Sequence, residues 1–352
     1  MSIASLSRHR AELMGLAILW IMLYHADVVL PGPLHPLMFL KFTGYGAVDL
    51  FFLVSGFGLA CGWSRRPPTF GPFVRRRLRR VAPVYLVVAT AWAVLALAPR
   101  GQLDVVSFFE LLTGANFLVR RDTVFWFAPS ILMAYAAFPA IYALAAHERP
   151  LRSATAVALL SVAFLALSVV LARLGAGEYL LLTERLPEFV LGTALGAWLS
   201  RAPDAAWPKA PVLVMLALGA ATLVGVMRWV PDDARFSLGL RFYPFLLLTL
   251  PLGLTTASLL DALAARDGRA WSFPRLRRAL AFCGAHSLEL YLGHVLIFEL
   301  APLGPDGRWT LPPAWNPGRV PEYASYALAA FVLAPALRRL ASEPSPRSSS
   351  AA

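Results

Sequence analysis

Ten mostly apolar stretches, most of them about twenty residues long, constrain this chain more than any other feature. They lie near 11–30, 45–63, 81–98, 124–146, 153–173, 184–199, 211–229, 241–260, 279–299 and 321–340. A bilayer's hydrocarbon core is about 30 Å thick, and a helix needs about 20 residues to cross it. Backbone polar groups in lipid must be satisfied within their own segment, so such stretches read as helices. With 58% of 352 residues apolar and only 15% charged, a soluble domain could not cover its own core. Two cysteines, Cys61 and Cys283, are too few for a disulfide scaffold. The expected architecture is an all-α, polytopic transmembrane bundle of about ten spans. It forms one domain over 1–342, followed by a disordered tail over 343–352, with no internal repeat. The stretch 184–199 is short and holds Pro187, Glu188 and Gly192. Residues 104–118 are too short and too charged to span, and are expected at the interface or as a re-entrant segment.

The net charge is +12, and 30 of the 32 basic residues are arginine. In a soluble chain this balance would suggest nucleic acid. Here the arginines fall in short runs between apolar stretches, with seven in 65–80 and five in 266–278. That pattern orients helices in a bilayer and places those segments and both termini in the cytoplasm. The first stretch carries polar groups and no small-residue cleavage site follows it, so it reads as a retained span rather than a signal peptide.

Ionisable groups inside spans are costly and mark functional positions. His25 lies in Trp20-Ile-Met-Leu-Tyr-His-Ala-Asp, about 21 Å along the first helix. A neutral imidazole there suits a general base acting on a hydroxyl, and equally a histidine that only hydrogen-bonds a neighbouring helix. Asp49, at the start of the second helix, is expected at the same depth. It could orient that imidazole or cap its own helix. The loop Phe73-Val-Arg-Arg-Arg-Leu-Arg-Arg-Val-Ala-Pro places five arginines between Arg75 and Arg80. Their forks fit phosphate oxygens, and they fit topogenic charge or anionic lipid equally well. Arg275, Arg277 and Arg278 read as topogenic. Ser287, Tyr291 and His294 share one helix face and Glu289 points away from it; such a stripe lines a cavity or binds a neighbouring helix. Trp126, in Trp126-Phe-Ala-Pro, fits an interfacial belt or a substrate platform. Nothing points to a metal or a resident cofactor.

The order of these motifs is more specific than any one of them. His25, then Gly46-Ala-Val-Asp-Leu-Phe-Phe-Leu-Val-Ser-Gly-Phe, the arginine run, Phe125-Trp-Phe-Ala-Pro and Gly284-Ala-His-Ser-Leu-Glu-Leu-Tyr-Leu-Gly-His follow one another along the chain. This series resembles the acyltransferase-3 family of bacterial membrane acyltransferases over about residues 8–340. The resemblance implies a multi-pass enzyme of the bacterial cytoplasmic membrane. Such an enzyme takes an acyl group, usually acetyl, from cytoplasmic acyl-CoA and places it on a hydroxyl of a glycan, lipid-linked sugar or other small acceptor. It implies His25 as the essential histidine, with Asp49 beside it, and Arg76, Arg77 and Arg80 facing the CoA. Ser55 belongs to the second-helix motif, and Ser287, Tyr291 and His294 to the late one; with Trp126 they are expected around the acceptor cavity. Family members commonly carry a basic residue eleven positions before the histidine, where this chain has Met14. Arg10, one turn closer to the cytoplasm, is expected to reach up to that level.

The expected chemistry has acyl-CoA phosphates on the arginines and His25 deprotonating the acceptor. An acyl-His25 intermediate is the alternative route within this class. Both cysteines lie in apolar surroundings and are poor nucleophiles. The reading from another class is a transporter or flippase for a polar lipid or metabolite. It is disfavoured by the lack of a duplicated half.

Overall fold

A computed structural model describes residues 1–26, 37–231, 234–235, 238–265, 273–300 and 320–341. Every named element among them is helical. In chain order the first are α1 (Ala4–Arg8), α2 (Arg10–His25), α3 (Leu37–Phe42), α4 (Ala47–Arg65) and α5 (Phe70–Trp92). Next come α6 (Val105–Thr113), α7 (Ala115–Val119), α8 (Phe127–Ala145), α9 (Pro150–Arg173), α10 (Leu180–Thr183), α11 (Leu186–Arg201) and α12 (Lys209–Trp229). The last are α13 (Tyr243–Ala265), α14 (Phe273–Ala285), α15 (Ser287–Leu300) and α16 (Val320–Ala341). The tail expected over 343–352 lies outside the described residues.

The bundle is built around α4 and α11. Nearly all of α4 from Ala47 to Ala60 is buried, and most of α11 is buried as well. In lipid, helices gain little by hiding apolar surface from one another, so close backbone approach drives their packing. Gly192 shows how close these two come: a Cβ there would sit 2.0 Å from the Leu53 carbonyl oxygen. Helix α2 packs on α4 and on α14. At the periphery, α9 buries only Ser168 and α12 only Val212, Gly219 and Leu223, leaving apolar faces suited to lipid.

Among the described residues seven helices are long and apolar enough to cross a membrane: Gly44–Arg65, Phe70–Arg100, Phe127–Ala145, Pro150–Arg173, Lys209–Trp229, Tyr243–Ala265 and Val320–Arg339. The expected span 279–299 is not one straight helix, because α14 and α15 meet at a 74° bend around His286. There the imidazole Nδ1 donates to the Phe282 carbonyl at 2.9 Å, between Gly284 and Ser287, and small residues with a side chain competing for the backbone ladder favour such a kink. Helices α2 and α11 have 16 residues each: α2 is shorter than the expected span 11–30, while α11 keeps the length expected for 184–199 and is shifted by two residues. Residues 27–30 lie outside the described residues. Because α11 is walled in by protein, lipid thickness does not set its length.

The arginine run differs from its expected place in a loop. It lies inside α5, which starts at Phe70 and continues through a π turn at Ala93–Leu97. Arginine is a good helix former, and Pro72 stands in the first turn, where no amide hydrogen bond is lost. The segment 104–118 folds into α6 and α7, joined at Gly114 with φ 75°, and neither is long enough to span. Asp104 caps α6 by accepting the Ser107 amide at 2.9 Å. That hydrogen bond holds the carboxyl below the usual carboxylate range.

Segments that the arginine pattern assigns to one side gather at one end of the bundle. The Met1 amine donates to the Trp207 carbonyl at 2.6 Å, and Ser5 donates to Asp261 at 2.5 Å. Arg201 donates to Ala146 at 3.0 Å, and Arg338 near the end of α16 donates to Ala285.

Candidate active site

A cavity of about 550 Å³ opens at this basic end. Arg8, Arg10, Arg77 and Arg80 line its mouth, Met14 and Ser55 lie further in, and Ile21, Phe127, Ser287 and Tyr291 line it beyond. Along α2 the lining runs eleven residues, from Arg10 to Ile21, or about 16 Å. His25 is one turn further on.

The guanidiniums at the mouth are not equivalent. Arg80 is bound bidentately by Glu289, at 2.6 and 3.0 Å, and the carboxylate is fully buried while Arg80 is 39% exposed. Arg8 is paired with Asp261 at 2.9 Å. Among the described residues no carboxylate faces Arg10 or Arg77. Arg77 lies over the rings of Phe73 and Tyr135, at 5.5 and 5.8 Å. Arg10 lies against Gly58 of α4, where a Cβ would come within 2.8 Å of the guanidinium carbon; that glycine makes room for it. Arg10 and Met14 line the same cavity. Arg76 is exposed and lines no part of it. Outside the cavity, Arg277 reaches Glu12 at 3.2 Å, so the later arginine cluster helps join α14 to α2.

At the far end of α2, His25 Nδ1 lies 3.1 Å from His294 Nε2. His25 is exposed, whereas His294 is fully buried. Helix α15 brings His294 there and, one turn below it, Tyr291, whose ring contacts Phe127 at 4.9 Å and His294 at 5.7 Å. Ile21, Phe127 and Tyr291 line the cavity while His25 and His294 do not. These three side chains line the cavity nearest the histidine pair, Ile21 one turn before His25 and Tyr291 one turn before His294.

Asp49 stands elsewhere than expected. Its carboxylate faces Arg185 at 3.9 Å, both 1% exposed, and the histidine pair supplies the partner on His25 Nδ1. Arg185 is sandwiched between Trp126, at 4.9 Å, and Phe242, at 4.4 Å, so Trp126 covers a buried cation and does not line the cavity. Glu184 and Glu188 complete this buried cluster, each also 1% exposed. Tyr24 joins it to the site, touching the rings of His25 at 5.1 Å and Tyr45 at 5.7 Å.

The residues that sequence reasoning missed are Glu289, Arg185 and Glu184. A signal was present: each is an ionisable side chain within or beside an apolar stretch, the same ground on which His25 stood out. Glu289 was judged only by its helix face, and its partner is 209 positions away.

The chain matches the family model Acyl_transf_3, described as an acyltransferase domain, over residues 13–339. No curated protein and no solved structure matches it.

Proposed function

The chain belongs to the acyltransferase-3 family, and from that premise we propose that it moves an acyl group, usually acetyl, from acyl-CoA to a hydroxyl of a glycan, lipid-linked sugar or other small acceptor. The basic end faces the cytoplasm of a bacterial cell, and the membrane is the cytoplasmic one. One observation carries this reading: of the two guanidiniums lacking carboxylate partners at the cavity mouth, Arg10 lies on α2, the helix that ends at His25 of the histidine pair. From Arg10 to His25 is fifteen residues, about 22 Å, close to the reach of an extended pantetheine arm of about 20 Å on chain-extension arithmetic.

Arg10 and Arg77 hold the nucleotide phosphates by charge-assisted hydrogen bonds, while Arg80 is already engaged by Glu289. The arm follows the cavity past Met14 and Ser55, and movement of Ile21, Phe127 or Tyr291 admits the thioester to His25. The acceptor approaches His25 from its exposed side. His25 takes the hydroxyl proton as the oxygen attacks the thioester carbonyl. The carbon–sulfur bond breaks, the thiolate leaves with the electron pair, and the proton passes from His25 to give free CoA thiol and an acyl ester. Asp49 and its buried partners brace this end of the bundle.

The test uses purified protein in lipid nanodiscs with radiolabelled acetyl-CoA and a polysaccharide and lipid extract as acceptor. Thiol release coupled to label transfer is expected, falling by on the order of 100-fold or more in His25→Ala. Wild-type rates in His25→Ala, or flux of extract components across proteoliposomes independent of acetyl-CoA, would overturn the reading.

A further inference from the structure

His294 Nδ1 lies 2.8 Å from the carbonyl of Leu290, one turn back on α15. A carbonyl oxygen only accepts, so this nitrogen carries a proton and donates. The ring is fully buried, between the rings of Tyr291 and Phe298. Among the described residues no carboxylate stands against it, and an unpaired charge is disfavoured in such surroundings. On the neutral ring, with its proton on Nδ1, Nε2 is a bare acceptor. That acceptor faces His25 Nδ1 at 3.1 Å. Two ring nitrogens at this separation share one proton, and His294 Nε2 has none to give. His25 therefore carries its proton on Nδ1, leaving the lone pair on Nε2; the Ile21 carbonyl, one turn back on α2, is a second acceptor for the same ring.

We propose that His294 is a positioning residue that locks His25 in the Nδ1–H tautomer and so selects Nε2 as the atom that takes the acceptor's hydroxyl proton. The inference rests on His25 being the base of the proposed reaction. His294 fills the place that a carboxylate takes in many histidine dyads, with one physical difference. A neutral acceptor fixes the tautomer and ring orientation before proton transfer without placing a negative charge beside the resting imidazole. After the transfer, His25 still donates from Nδ1 to the same nitrogen, so the contact survives the whole cycle. Asp49 cannot serve here, because Arg185 engages it across the bundle.

The test is solid-state NMR of the full chain in lipid bilayers with nitrogen-labelled histidine, the His25 signals being identified by their loss in His25→Asn. The wild-type protein is expected to show His25 protonated on Nδ1 and bare on Nε2. In His294→Leu that preference is expected to weaken, the Ile21 carbonyl being the remaining acceptor for the ring. Turnover with acetyl-CoA should fall about 10- to 100-fold, with KM for acetyl-CoA unchanged. His294→Gln, whose side-chain carbonyl can accept the same N–H, is expected to restore the tautomer and most of kcat. A wild-type His25 protonated on Nε2, or a His294→Leu protein with both the tautomer and kcat intact, overturns the proposal. Should the leucine variant fail to fold, the wild-type spectrum and the glutamine variant decide. Wild-type turnover in His25→Ala would instead remove the base assignment, while the spectra still decide the tautomer.

Discussion

Arg80 and Glu289 form an ion pair whose two members differ sharply in exposure, and that asymmetry can be measured. Replacing Arg80 by leucine leaves the Glu289 carboxylate, fully buried, without its two hydrogen bonds. Stranding one member of a buried pair costs about 3–5 kcal/mol. Replacing Glu289 by leucine instead leaves Arg80, 39% exposed and facing a cavity that admits water. That cost should be near the loss of a charge-assisted hydrogen bond, about 1.5 kcal/mol. The double leucine variant strands nothing and is expected close to wild type, giving a coupling energy of about 4.5–6.5 kcal/mol from those single costs. Reversible unfolding in mixed micelles with a rising fraction of denaturing detergent, on all four proteins, closes the cycle. Equal costs for the two single variants, or additive costs in the double, would refute the view that Glu289 depends on Arg80 for its burial.

The same geometry predicts a different outcome for the arginines without carboxylate partners. Arg10→Ala and Arg77→Ala should each raise KM for acetyl-CoA about 10- to 100-fold, the equivalent of a charge-assisted hydrogen bond, with unfolding little changed. Gly58→Leu should displace the Arg10 guanidinium and raise KM similarly; combined with Arg10→Ala it should add little, because both remove one contact. Asp49→Ala removes the carboxylate that faces Arg185 and leaves Glu184 as the remaining charge beside it, and should destabilise the fold by up to about 3 kcal/mol; Asp49→Ala stability equal to wild type in the same unfolding assay would count against the pair. The Asp104 cap should respond to acid. Its folded pKa is depressed, so the cap's contribution is complete above the unfolded value near 4 and is lost as pH falls through the lower folded value. Protection of the Ser107 amide, the intrinsic exchange rate at each pH divided by the observed one, should fall only as pH drops below the unfolded value, and Asp104→Asn should remove the dependence.

What could be known before any fold was seen followed from local physics. A run of apolar residues long enough to cross hydrocarbon must be helical, because its backbone has no other hydrogen-bonding partner, and this holds for stretches such as 153–173 and 211–229 whatever surrounds them. Clusters of arginine mark the ends of such helices for equally local reasons, and the order of motifs from His25 to His294 is carried by the chain itself. Lengths and breaks were less legible. Helix α11 could be short because protein surrounds it, and the bend at His286 arises where α14 packs against α2. The site's pairings were out of reach, since each joins residues far apart in the chain: His25 with His294, Arg80 with Glu289, Asp49 with Arg185. Helix periodicity says which side chains share a face. Which face meets which neighbour depends on the packing of all the helices together, and on their crossing at glycines such as Gly192 and Gly58. For that reason Asp49 could be read as the partner of His25 from its depth alone, and only the assembled bundle gave that place to a second histidine.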